Sequence, residues 1–146
     1  MGVKVLILGG TSNGRELAER LVSDARHEPL LSFAGRTHSL QAPRVPLRVG
    51  GFGGAEGLAE FLVQHGFQAL VDATHAFAAR ISSNAVRASE RTDTPLRRLQ
   101  QPEWTPSPGD RWLDAADMVE AAALLGATPR RVFLAIGRLE LAAFRA

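Results

Sequence analysis

The sequence contains no cysteine. No disulfide framework can brace this fold, no thiolate can ligate zinc, and nothing ties the chain to an oxidising compartment. Long apolar runs are lacking too. The stretch from Val5 to Leu8 is far too short to span a bilayer, and it follows a lysine and precedes glycines, not a small-residue cleavage site. These absences predict a cytoplasmic protein. Lysine is almost missing: Lys4 is the only one, so arginine carries nearly all the positive charge behind a formal net charge of +2. The arginines are scattered among carboxylates and form no run interleaved with aromatic residues, which argues against a nucleic-acid surface and for acid-paired or solvated guanidinium groups.

What is present describes a globular chain. At 146 residues, with 45% hydrophobic and 22% charged residues, it is neither disordered nor in need of a second core, and one domain over 1–146 is expected. Apolar runs of strand length recur at Val3–Leu8, Pro29–Phe33, Val45–Val49, Ala69–Ala73, Leu96–Leu99 and Arg131–Ile136. They lack clean alternation, as suits strands covered on both faces. Between them, Gly14–Ser23, Ala55–His65, Phe77–Arg91 and Ala115–Leu125 place apolar residues at three- and four-residue spacing, the period of a helix. Strand–helix alternation predicts an α/β fold: a doubly wound, mostly parallel sheet between two helical layers, α/β/α, joined by right-handed crossovers. The exception is Ala34 to Arg44, which links two strands without room for a helix. The segment "QPEWTPSPGD" (101–110) has three prolines and a glycine and reads as a loop.

In an open parallel sheet, ligands bind beyond the carboxyl ends of the strands, where a glycine turn lets phosphate approach N–H groups at a helix N-terminus. "GGTSNGRE" stands at such a point. Gly9 and Gly10 allow a tight turn, Thr11 and Ser12 offer hydroxyls, and Gly14 lets the helix pack close to the strand. The spacing is G-G-x-x-x-G, not G-x-G-x-x-G, so the motif alone leaves a phosphate site and a plain turn both open. A second clue is "LLSFAGRTHS", where Arg36 lies 22 residues beyond Gly14. An acid at this position holds ribose hydroxyls and an arginine accommodates a 2′-phosphate, so Gly35, Arg36 and Thr37 favour NADP over NAD unless Arg36 is only a solvated loop residue. "VGGFGGAEGLAEFL" follows the third strand and borders either cofactor or substrate, or is a flexible turn with Gly57 in the first helical turn. In "LVDATHAFAARISSNAVRAS", Asp72, Thr74 and His75 leave a buried strand at the same edge. His75 either handles a proton or caps the next helix. Asn84 and Arg87 share a helix face, as surface pairs routinely do.

Taken together, "LILGGTSNGRELAERL", "AGRT", "GGFGGAEGLAEFL", "VDATHAFAARIS", "LRRLQQPEW" and "VFLAIGRLEL" resemble the precorrin-6A reductase family of cobalamin biosynthesis, end to end and in the family's order. The resemblance implies a Rossmann-like fold and an NADPH-dependent oxidoreductase that saturates one double bond of a tetrapyrrole macrocycle, converting precorrin-6A to precorrin-6B. It further implies Gly10, Thr11, Ser12, Asn13 and Gly14 at the pyrophosphate, Arg36 and Thr37 at the 2′-phosphate, and Thr74 and His75 near the nicotinamide or substrate, with His75 the candidate for proton handling. Arg15, Arg80 and Arg138 are then candidates for pairing with substrate carboxylates. No metal site and no nucleic-acid or membrane partner is expected. Asn13 stands where the family carries glutamate, Ala76 where it carries proline, and Leu139 where it carries glutamine. Family members are longer, with a second half that closes over the substrate, so the chain looks like the amino-terminal domain. A non-catalytic module that binds a nucleotide or another phospho-ligand is the alternative.

Overall fold

A computed structural model describes residues 2–34, 45–102, 105–136 and 138–145. Its elements are β1 (Val3–Leu8), α1 (Ser12–Val22), β2 (His27–Phe33), β3 (Leu47–Val49), α2 (Ala55–His65), β4 (Ala69–Asp72), α3 (Ala79–Thr92), β5 (Leu96–Arg98) and α4 (Met118–Leu124), followed by a 3-10 helix over Arg138–Phe144. The strands form a five-stranded sheet in the order β3-β2-β1-β4-β5. Every pairing is parallel. This is the doubly wound α/β arrangement, in which β1 is central and the chain winds outward first through β2 and β3, then through β4 and β5.

Successive residues of β1 serve opposite faces, and both faces are buried. Leu6 and Leu8 pack with Leu58, Ala59 and Leu62 of α2 and with Ala85 and Ala88 of α3. Val5 and Ile7 pack with Ala18 of α1 and with Leu31 and Phe33 of β2. Helices therefore cover both sides, α1 on one and α2 with α3 on the other. Two-sided burial explains why the strands read as unbroken apolar runs. The helices pack through small residues, so α1 and α3 sit close to the sheet through Gly14, Ala18, Ala85 and Ala88. Arg87 of α3 reaches across to Glu56 of α2 at 3.1 Å and ties the two helices together; its partner is thus on another element and not Asn84. In the turn before β2, the Arg26 guanidinium and backbone N–H donate to Asp24, and these bonds hold its carboxyl well below the usual carboxylate range.

The described residues fall into two compact units, Met1–Pro102 and Glu103–Ala146. The first contains the whole sheet. The run Arg131–Ile136 is not a strand, contrary to expectation, and pairs with none of the described strands. A short apolar run cannot specify a partner edge by itself, and within its own unit this one leaves Phe133 92% exposed. In the same unit α4 is shorter than the helical pattern suggested, because Asp117 caps it by accepting from the N–H groups of Val119 and Glu120. No described helix is long and apolar enough to cross a membrane.

Candidate functional site

The order of strands reverses between β1 and β4, and in such sheets the crevice beyond the carboxyl ends of those two strands is where ligands bind. The β1–α1 turn forms one wall. Thr11 is the N-cap of α1, with extended backbone; its Oγ1 accepts from the Gly14 N–H at 3.2 Å and donates to the Ala73 carbonyl at 2.9 Å. One hydroxyl thus caps the helix and pins it to the end of β4. Gly14 faces the same point: a Cβ there would lie 2.8 Å from the Ala73 Cβ, so only glycine permits this approach. The first N–H groups of a helix have no intrahelical acceptor. With Gly14 served by Thr11, those of Ser12 and Asn13 have no acceptor among the described residues, and the first turn of α1 holds no acid to repel an anion.

The β4–α3 loop forms the other wall. Asp72, the last residue of β4, is 3% exposed. A buried carboxylate needs partners, and it has them: Oδ1 accepts from the Thr74 N–H at 3.1 Å and from Thr74 Oγ1 at 2.6 Å, while Arg98 Nε of the neighbouring strand lies 3.7 Å from Oδ2. Thr74 Oγ1 also lies 3.4 Å from Ser82 Oγ of α3. Gly10 abuts this wall, since a Cβ on it would meet Thr74 Cα at 3.4 Å and His75 N at 3.5 Å. Beyond Thr74 the chain turns, with the Ala78 N–H donating to the His75 carbonyl, and α3 starts at Ala79, two residues later than the periodicity suggested. His75 is exposed and precedes the helix without capping it; its ring lies 5.3 Å from that of Phe77, with 29° between the planes.

A third loop at this edge follows β3. Gly50, Gly53 and Gly54 take positive φ, Gly54 at 101° immediately before α2, a conformation that L side chains rarely adopt. The loop is built, not slack. Arg48 donates to the carbonyls of Gly50 at 2.5 Å and Gly51 at 2.8 Å, and its guanidinium sits 4.0 Å from the Phe52 ring centre and 5.0 Å from that of Phe61. Gly57 has a packing role as well, because a Cβ there would run into the Phe52 carbonyl oxygen.

Of the residues singled out from sequence, Gly10, Thr11, Ser12, Asn13, Gly14, Thr74 and His75 come together on the two walls of the crevice. Arg36 and Thr37 lie outside the described residues. Sequence reasoning passed over Arg48, whose only signal was a cation just before a glycine cluster. It also passed over Gln101, whose Nε2 donates to Asn13 Oδ1 at 3.5 Å across 88 positions, a contact with no local signal.

A family model described as "Precorrin-6x reductase CbiJ/CobK" matches residues 4–146. The chain belongs to that family. The precorrin-6A reductase of Sinorhizobium sp is 54% identical over 137 residues, 94% of this chain and 52% of that protein. The precorrin-6A reductase of Rhodococcus erythropolis is 48% identical over 141 residues, 97% of this chain and 57% of that protein. The solved structure of CobK precorrin-6A reductase superposes with a TM-score of 0.92 at 42% identity and covers 99% of this chain but 57% of its own. The chain therefore spans a little over half the length of the precorrin-6A reductases it matches. A UDP-D-quinovosamine 4-dehydrogenase from Vibrio fischeri, with a TM-score of 0.50 at 16% identity, shares the fold alone. The family match extends through the second compact unit as well as the sheet.

Proposed function

We propose that this chain carries the NADPH site of a precorrin-6A reductase, which saturates one double bond of the macrocycle to give precorrin-6B. The observation that carries the reading is the pairing of family membership with the uncovered start of α1 at the strand-order reversal, where Gly14 and Thr11 hold the helix against Ala73. A pyrophosphate suits that place, because unpaired N–H groups, threonine and serine hydroxyls and the helix dipole all favour an anion. Gly10, Thr11, Ser12, Asn13 and Gly14 take this role. Arg36 and Thr37 take the 2′-phosphate, since an arginine after the second strand replaces the acid of an NAD site.

When bound, NADPH supplies the hydride that such a reduction needs. The chain's own part is to bind, orient and exclude water. Asp72, through its two bonds to Thr74, fixes the loop that carries Thr74 and His75 beside the Gly10 turn. His75 takes the role of handling the proton at the carbon next to the one reduced. Arg15 and Arg80 are available to pair with the carboxylates around the macrocycle.

The test has two arms on the full chain as its gene encodes it. Calorimetric titration should show NADPH binding more tightly than NADH, and precorrin-6A should elicit NADPH oxidation in a spectrophotometric assay. Binding of phosphosugars with indifference to NADPH would replace this reading with that of a phospho-ligand module.

A further inference from the structure

Phe77 is 80% exposed, a large cost for an aromatic ring that contributes to neither core cluster. It is nevertheless held in place. Asp72 anchors Thr74, the Ala78 N–H donates to the His75 carbonyl at 2.8 Å, and the Phe77 N–H reaches back toward His75 Nδ1 at 3.5 Å. The two rings stack with centres 5.3 Å apart and planes 29° from parallel, so His75 backs the exposed Phe77 ring next to the crevice. Chain position fixes where that surface lies: Gly10 of the opposite wall abuts Thr74 and the His75 backbone.

We propose that Phe77, backed by His75, is a shelf for the conjugated face of the macrocycle, and so a residue that sets affinity for the substrate and not for the cofactor. The inference rests on the reductase reading above. Three features select this occupant. Stacking needs a flat partner with its own π face, and a conjugated macrocycle is one. On the reading above, the phosphates of the cofactor are already provided for at the other wall, at the start of α1. And among the described residues no cation lies over the Phe77 ring to suit an acidic peptide.

The experiment compares Phe77→Ala, Phe77→Leu and Phe77→Trp in the full chain by steady-state kinetics, with thermal melting alongside. Phe77→Ala should raise KM for precorrin-6A roughly ten-fold, Phe77→Leu should fall between, and Phe77→Trp should stay near the unsubstituted protein. KM for NADPH and the melting temperature should not move. An unchanged KM for precorrin-6A would overturn the shelf. A rise in KM for NADPH instead would assign the ring to the nicotinamide, and a fall in melting temperature with unchanged KM would assign it to packing; either overturns the proposal. Absence of turnover in the unsubstituted full chain would remove the reductase reading and the shelf with it, whereas turnover with unaltered KM removes the shelf alone.

Discussion

Gly14→Ala tests the contact that positions α1. The new Cβ would sit 2.8 Å from the Ala73 Cβ and 3.4 Å from the Ala73 carbonyl oxygen. Carbon atoms prefer about 3.5–4.0 Å, so the helix must retreat by roughly an ångström. The Thr11 Oγ1–Ala73 bond, 2.9 Å long, cannot survive a retreat of that size. Overpacking costs about 1–3 kcal/mol and the lost bond about 1 kcal/mol, while alanine's helix preference over glycine returns at most about 1 kcal/mol. A net loss of about 1–3 kcal/mol should appear in urea denaturation, together with weaker NADPH binding because the N–H groups of α1 move with the helix. Gly10→Ala is the control. Its Cβ would meet nothing closer than 3.4 Å among the described residues, so stability should change by less than about 0.5 kcal/mol. A double mutant with Ala73→Gly should recover part of the Gly14→Ala loss, a coupling of about 1 kcal/mol. Full stability in Gly14→Ala, or no coupling to position 73, would refute the close-approach argument.

Arg48→Ala should cost about 2 kcal/mol in the same denaturation assay, since it removes two bonds to loop carbonyls and a cation over Phe52 and Phe61, and Arg48→Lys should not restore it because an ammonium cannot keep the planar fork. A loss below about 0.5 kcal/mol would mean the glycine loop holds itself. Asp24 is held ionised by Arg26, so its contribution is present above the ordinary carboxylate pKa of 3.8 and drains away as pH falls below it; melting followed from pH 5 downward should therefore be less acid-sensitive in Asp24→Asn, and parallel curves would count against the pair. On the proposed NADPH reading, Arg36→Ala should weaken NADPH roughly ten- to a hundred-fold in calorimetry and leave NADH nearly unchanged, because that reading gives Arg36 two charge-assisted bonds to the 2′-phosphate; equal losses would place Arg36 on the loop or the pyrophosphate.

The fold was legible wherever burial on two faces forced a run of apolar residues. β1 and α2 fall on their expected bounds, and the other strands of the sheet lie within a few residues of theirs. Where tertiary partners decide, sequence could not. The run Val45–Val49 pairs over Leu47–Val49 alone, since parallel pairing to β2 reaches only from Leu31 to Phe33. Arg131–Ile136 has the composition of a strand, yet strand formation is a property of a pair, and the composition of one run says nothing of whether an edge awaits it.

The site was half legible for a related reason. Glycines are visible in sequence, but what each must avoid is not: Gly14 avoids Ala73, some sixty positions away, and Gly57 avoids the Phe52 carbonyl. Asp72 was visible as a carboxylate at a strand end, and only the structure distinguishes a proton-handling acid from what it is, a buried acceptor spent on Thr74 and facing Arg98. That assignment narrows the proton question. A carboxylate already bonded twice to Thr74 and screened from solvent cannot approach a ligand without releasing the loop that forms the wall. His75 is exposed on that same loop, with no hydrogen bond or ion pair to a carboxylate among the described residues, and its geometry is set by Asp72 through Thr74 and by Phe77 through stacking. Because Ala73 is at once the landing point of Thr11, the limit on Gly14 and the residue between Asp72 and Thr74, the two walls of the crevice share one rigid joint. Substitutions that loosen either wall must act on the other through it.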